Sequence, residues 1–169
     1  HLMAAAEGGL GPAEMAAATN RGTYTALQPE SYAAVFIGIL DLRQHTLTFV
    51  NCGHVPPLRI SGGATPPELL VSGGIVIGAV PEPTYEERVL KLRPGDTVVW
   101  YSDGISEARD RRGEEFGEER VAAVAVAHNA EGAQATAEAI VEQSRAFAGE
   151  GGHDDVTVLV LKRKAEPSP

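Results

Sequence analysis

The sequence predicts an α+β domain with a mainly antiparallel sheet and helices packed on its outer faces. Three observations carry this. A hairpin-rich run of short β segments occupies the first two thirds of the chain, two helical stretches follow, and one apolar strand comes last. Regular alternation of strand and helix, the mark of a doubly wound sheet, does not occur.

Gly11-Pro12 reads as a helix start, and Ala13, Met15, Ala16 and Ala17 are mostly good helix formers, so a helix is expected from Pro12 to Ala26. Apolar and β-branched residues become dense from Tyr32 to Leu40. The polar Asp41-Leu42-Arg43-Gln44-His45 separates them from Thr46-Leu47-Thr48-Phe49-Val50, which predicts a β-hairpin. Asn51-Cys52-Gly53-His54 is a turn. Pro56 to Ile60 reads as a short strand entered through prolines, which a central ladder position would not tolerate. Gly62 to Pro67 is a loop. Further strands are expected at Ile75 to Ala79, at Tyr85 to Leu92, where Val89 alternates with Arg88 and Leu90 with Lys91, and at Thr97 to Tyr101. Arg93-Pro94-Gly95-Asp96 is the turn between the last two. Two amphipathic helices follow: Glu118 to His128, with Val121, Val124 and Ala125 at helical spacing, and Ala133 to Phe147, with Ala137, Ile140, Val141, Ser144 and Phe147 on one stripe. The last strand, Val156 to Lys162, lies between Gly151-Gly152 and the polar, Pro-containing stretch from Ala165 to Pro169, which reads as a disordered tail.

At 169 residues and 43% hydrophobic composition the chain can bury one real core, and length gives no reason to divide it. No apolar run approaches the roughly 20 residues that cross a bilayer, and His1-Leu2-Met3-Ala4 lacks the charged start of a signal peptide. A single cysteine, Cys52, excludes an internal disulfide and fits a reducing, cytoplasmic compartment. Against 23 Asp and Glu stand 14 Lys and Arg, a net charge of −9. That is the wrong sign for wrapping nucleic acid, and much of the acid reads as solvated surface.

Two places combine a strand with a tight turn and an acidic residue at the junction. They are Trp100-Tyr101-Ser102-Asp103-Gly104 and Gly152-His153-Asp154-Asp155-Val156-Thr157, the latter running into Val158-Leu159-Val160-Leu161. A carboxylate held rigidly at such a junction can face a metal instead of bulk water, so Asp103 and Asp154 together suggest a divalent-ion site. The simpler alternative is that each aspartate caps its own turn.

Several separated motifs, in order, resemble one family. They are Tyr32-Ala33-Ala34-Val35-Phe36, Leu47 to Leu58 with its Asn51-Cys52-Gly53-His54 centre, Gly78, Leu92-Arg93-Pro94-Gly95-Asp96, Tyr101 to Arg109, Phe116-Gly117-Glu118-Glu119-Arg120 and Asp154-Asp155-Val156-Thr157. Over about Ala4 to Lys164 the chain is similar to the SpoIIE/RsbU branch of the metal-dependent protein phosphatases, the protein phosphatase 2C-like or PPM family. An ordered set is far more specific than any one motif.

The resemblance implies an α/β/β/α sandwich of two mainly antiparallel sheets with helices on both outer faces and a pair of Mn2+ or Mg2+ ions at one end. There a metal-activated water attacks phosphoserine or phosphothreonine. Asp103 matches the metal-ligand aspartate of the Ser-Asp-Gly motif, and Asp154 the ligand at the start of the last strand. Gly104 would permit the tight turn behind the ligand, and Asp155 would support the ligands from outside. Asn51 and His54 would lie around the same cavity, His54 either touching metal or phosphate or closing its turn on backbone. Glu107 and Arg109 would either bind substrate phosphate or pair with each other. His153 would be a proton donor or a plain loop histidine, and Asp110 to Glu115 a charged hairpin loop before a docking loop. Cys52 reads as a small buried hydrophobe and not as a catalytic thiol.

The implied substrate is a phosphorylated STAS-type anti-anti-sigma protein in a partner-switching pathway, with a sensor domain upstream and no nucleic acid or membrane partner. Members also carry an earlier Gly-Asp motif and an Asp-x-Ser-Gly-His-Gly motif, which this sequence lacks. Residues 1–164 are therefore expected to be the C-terminal two-thirds of one phosphatase domain, with unpaired sheet edges that open a route to homodimers. Two other classes stay open: a non-catalytic pseudophosphatase or regulatory binding module, and a metal hydrolase of small phosphate esters.

Overall fold

The computed structural model describes residues 9–26, 32–61, 66–149 and 155–165. His153 and Asp154, loop residues 62–65 and tail residues 166–169 lie outside them. The chain forms two compact units, His1–His54 with Val71–Leu92, and Val55–Leu70 with Arg93–Pro169.

In the first unit, helix α1 (Pro12–Ala26) occupies the predicted residues. Pro12 opens it, where a missing N–H costs nothing, and the Gly11 amide donates to Glu14 Oε2 at 3.0 Å. Strands β1 (Val35–Asp41) and β2 (Thr46–Cys52) form the expected hairpin, in register from Val35 opposite Cys52 to Asp41 opposite Thr46. Its turn is held by Asp41, whose Oδ1 accepts the Arg43 and Gln44 amides at 2.8 Å each, a local Asx turn. Met15 and Ala16 of α1 bury against Ile37, Val50, Cys52, Ile77 and Tyr85.

The predicted strand at Ile75 to Ala79 does not form: Ile77 makes one isolated bridge to Ala33. The cause is the buried Asn20 of α1. Its Oδ1 accepts the Gly78 amide at 2.7 Å, and its Nδ2 donates to the Val80 carbonyl at 3.0 Å, so this backbone is tied to the helix and not to a ladder. Of Tyr85 to Leu92 only β5 (Arg88–Lys91) is strand, pairing with β2 in the order β1-β2-β5. Tyr85 turns into the core, and the Glu86 amide donates to the Gly73 carbonyl.

In the second unit, β3 (Leu58–Ile60), β4 (Glu68–Leu69), β6 (Thr97–Tyr101) and β7 (Val158–Lys162) form an antiparallel sheet in the order β4-β3-β6-β7. β3 is thus an interior strand. The proline rule still holds, because Pro56 and Pro57 precede the ladder. β4 was not expected, being only two residues long. Helix α2 (Asp103–Ser106) is a single turn, followed by α3 (Gly117–His128), a 3-10 turn (Asn129–Glu131) and α4 (Ala133–Ala148).

α3 buries Val121, Val124 and Ala125 as its spacing predicts. α4 buries Thr136, Ala139, Ile140, Ser144 and Ala148, whereas Ala137, Val141 and Phe147 are less deeply covered. The stripe is rotated because Thr136 and Ser144 can face the core once their hydroxyls donate to the carbonyls of Gly132 and Ile105. Leu58, Ile60, Val99, Tyr101, Ile105 and Phe116 meet these helices in one apolar cluster.

Candidate metal centre

β6 is buried along nearly its whole length and is held on both sides, by β3 and by β7. The chain leaves it at Ser102 in extended conformation (φ −77°, ψ 158°) and turns at once into α2. Ile105 of that turn is completely buried, and its carbonyl accepts the Ser144 hydroxyl of α4 at 3.2 Å. The Glu107 amide donates to the Asp103 carbonyl at 2.7 Å. A rigid strand on one side and an anchored turn on the other therefore fix the Asp103 backbone, while its side chain is exposed.

The Gly104 amide donates to Asp103 Oδ1 at 2.9 Å, which orients the carboxylate. Gly104 lies in the helical turn and is absent from the glycines of positive φ, so its role here is this N–H and not a strained turn. No described Lys, Arg or His pairs with Asp103. An oriented, exposed carboxylate without a competing cation fits a hard divalent ion. Among the described residues no three His, Cys, Asp or Glu side chains are grouped to hold one, so Asp103 offers one donor of a shell.

The chain leading into β7 comes to this same point. The Ser102 amide donates to the Thr157 carbonyl at 3.0 Å, the Thr157 amide donates to Ser102 Oγ at 2.9 Å, and Ser102 Oγ donates to the Asp155 carbonyl at 2.9 Å. The backbone of Asp155 is thereby held against Ser102, the residue before Asp103. These bonds also explain why Val156 and Thr157, expected to be strand, precede β7.

Glu107 and Arg109 do not pair with each other. Arg109 Nη2 meets Glu115 Oε1 at 2.5 Å across the expected charged hairpin, whose turn is closed by Asp110 Oδ1 accepting the Arg112 and Glu114 amides.

Asn51 and His54 belong to the other compact unit. Asn51 Oδ1 accepts the His54 amide and its Nδ2 donates to the His54 carbonyl, both at 2.8 Å, so the carboxamide closes the turn on backbone. Gly53 (φ 80°) and Gly74 fit this turn tightly: a Cβ on Gly74 would sit 2.5 Å from the Asn51 carbonyl oxygen. Cys52 is fully buried, and burial pushes its thiol up to about 11. At neutral pH it holds its proton, which excludes it as a thiolate nucleophile.

The model of the Stage II sporulation protein E (SpoIIE) family matches residues 2–164. The chain belongs to the SpoIIE family. Phosphoserine phosphatase RsbU of Bacillus subtilis is 26% identical over 159 residues, covering 94% of this chain and 47% of RsbU. The chain spans less than half the length of the curated relatives it matches. The SiaA-PP2C domain of Pseudomonas aeruginosa superposes with a TM-score of 0.81 at 24% identity, covering 95% of this chain and 65% of that domain. The phosphatase domain of SpoIIE from Bacillus subtilis, presoaked with Mn, gives 0.62 at 20% identity, covering 99% and 73%. The fold, with two antiparallel sheets and helices, is thus that of PP2C-type phosphatase domains, as the sequence predicted. Sequence reasoning gave Ser102 no role. The available signal was a serine at a helix N-cap beside a candidate ligand.

Proposed function

We propose that this SpoIIE-family chain is part of a metal-dependent protein phosphatase domain that hydrolyses phosphoserine or phosphothreonine on a regulatory protein. The observation that carries the reading is Asp103: an exposed carboxylate, oriented by the Gly104 amide, at the end of a buried strand. Asp103 and Asp154 would hold Mn2+ or Mg2+. Such ions would make hydroxide available near neutral pH to attack phosphorus and would neutralise charge on the phosphoryl oxygens. Ligands beyond these two would come from Gly-Asp and Asp-x-Ser-Gly-His-Gly stretches outside these 169 residues. Asp155 would keep the ligands oriented. Arg109, exposed beside Glu107, would exchange Glu115 for the substrate phosphate, to which a guanidinium binds in bidentate fashion.

RsbU is named a phosphoserine phosphatase, which supports the substrate class. A phosphorylated STAS-type anti-anti-sigma protein in the cytoplasm is the partner we infer, with a sensor domain elsewhere in a longer protein. No helix among the described residues is long and apolar enough to cross a membrane.

The test is turnover of a phosphoserine protein and of a small phosphate ester, with and without Mn2+, in this chain and in a longer natural product carrying both further motifs. Metal-dependent turnover of the phosphoprotein, lost in Asp103→Asn and Asp154→Asn, is the expected result. Wild-type turnover in either variant would remove that ligand from the reading. No turnover in either protein would leave a regulatory binding module.

A further inference from the structure

We propose that Ser102 is a positioning residue that sets the approach of the β7 lead-in segment to Asp103, and so the affinity of the metal centre. The proposal rests on the reading of Asp103 as a metal ligand. A serine at a helix N-cap ordinarily accepts one of the helix's first free amides. Ser102 makes no such bond. The Ile105 amide is satisfied by the Ser102 carbonyl and the Gly104 amide by Asp103 Oδ1, which leaves the hydroxyl to act elsewhere.

It acts twice on one short segment. Ser102 Oγ accepts the Thr157 amide and donates to the Asp155 carbonyl, each at 2.9 Å, while the Ser102 amide holds the Thr157 carbonyl at 3.0 Å. One residue thus engages the backbone groups of Asp155 and Thr157 just beyond the last β6-β7 pair, Tyr101 opposite Val158. Both hydroxyl bonds are partly solvated, so they contribute modestly to global stability; what they fix is position. Asp155 follows Asp154 directly in the chain, and the clamp lies immediately before Asp103. A hydroxyl here registers the two carboxylate-bearing stretches to each other. Alanine keeps the backbone bond from Ser102 to Thr157 and removes both hydroxyl bonds, whereas threonine retains a hydroxyl and tolerates the extended backbone at this site.

The experiment is an NMR titration with Mn2+ of the longer natural product that carries both further motifs, reading paramagnetic broadening of the amides of 103–106 and 155–157, alongside amide exchange. In the wild type both segments broaden with one midpoint. In Ser102→Ala the Thr157 amide loses protection and the midpoint rises about tenfold, as for lost partners of metal ligands elsewhere, and Ser102→Thr returns it to within about twofold. An unchanged Thr157 amide in the alanine variant overturns the clamp. An unchanged Mn2+ midpoint, or a threonine variant that regains Thr157 protection without regaining the midpoint, overturns the positioning role. A wild type that Mn2+ leaves unbroadened overturns the metal centre itself, a result distinct from the other two.

Discussion

Arg59 Nη2 lies 2.8 Å from Asp96 Oδ2, and the aspartate it meets is 1% exposed. Arg59 sits on β3 and Asp96 at the turn into β6, so this pair ties the strand that leads to Asp103 to its neighbour. Asp96 Oδ2 also accepts Arg59 Nε at 3.2 Å and the Arg93 amide at 2.9 Å, while its Oδ1 is buried with no hydrogen-bond partner. Removing the guanidinium takes away the counter-charge and two of the three donors on Oδ2, leaving a buried carboxylate held by the Arg93 amide. Arg59→Met is therefore expected to cost about 3 kcal/mol in urea unfolding, and adding Asp96→Leu to recover part of that loss. A cost under about 1 kcal/mol for the single variant would show that water serves this carboxylate as well as arginine does.

Cys52 and Tyr85 share the core beneath α1, and burial raises both, Cys52 from 9.0 to about 11 and Tyr85 from 10.0 to about 12. In each case the folded state keeps a proton that the unfolded chain gives up earlier. The stability from the neutral forms is thus complete below pH 9 and is lost as pH rises through about 11 for Cys52, then about 12 for Tyr85. Unfolding free energy followed against pH should begin to fall near pH 9. In Cys52→Ala the onset should move up toward pH 10, where the tyrosine of the unfolded chain titrates, and metal-dependent turnover should be retained. Loss of turnover in that variant at wild-type stability would contradict the exclusion of the thiol.

Gly74→Ala tests the turn that holds His54. The new Cβ would lie 2.5 Å from the Asn51 carbonyl oxygen and 3.3 Å from Tyr85 Cδ1, and backbone is the obstacle that cannot rotate away. Overpacking of this kind costs typically 1–3 kcal/mol, roughly 2 kcal/mol being expected here. Gly113→Ala, at a positive-φ glycine with nothing within 4 Å, isolates the conformational cost alone. Thermal unfolding of the two variants separates crowding from strain. Gly74 has no positive φ to strain, so a loss near zero in Gly74→Ala would mean that the close approach to Asn51 is relieved at no cost.

The sequence made the regular elements readable wherever local pattern and tertiary partner agree. α1, the 35–52 hairpin, β6 and α3 have periodic apolar residues and local start or stop residues, and each forms within two or three residues of expectation. Residues 75–79 look like a strand by composition, yet a side chain 58 residues away in sequence, Asn20, claims the Gly78 amide. No local pattern records such a partner. The same holds at the candidate site. Asp103 stood out from its strand-turn motif, whereas the clamp by Ser102 depends on Thr157, 55 residues on. α4 shows a third kind of difference, because Thr136 and Ser144 count as polar in a periodicity argument until carbonyls satisfy their hydroxyls.

Arg109 offers the sharpest separation of a functional role from a structural one. Its ion pair with Glu115 is exposed on both sides, 62% and 47%, and pairs of that kind contribute only about 0.2–1 kcal/mol. If the pair were all Arg109 does, Arg109→Ala would shift unfolding by less than about 0.5 kcal/mol and leave kinetics alone, and Glu115→Ala would do the same. If Arg109 instead receives the substrate phosphate, the two variants diverge. Arg109→Ala should then raise KM for a phosphoprotein about tenfold with folding unchanged, since charge-assisted hydrogen bonds contribute about 1.5–3 kcal/mol each. Glu115→Ala, which releases the guanidinium, should lower KM or leave it unaltered. Arg109→Lys should recover only part of the affinity, because an ammonium keeps the charge but loses the planar fork. Parallel behaviour of Arg109→Ala and Glu115→Ala would assign the pair to the hairpin and remove Arg109 from the substrate site.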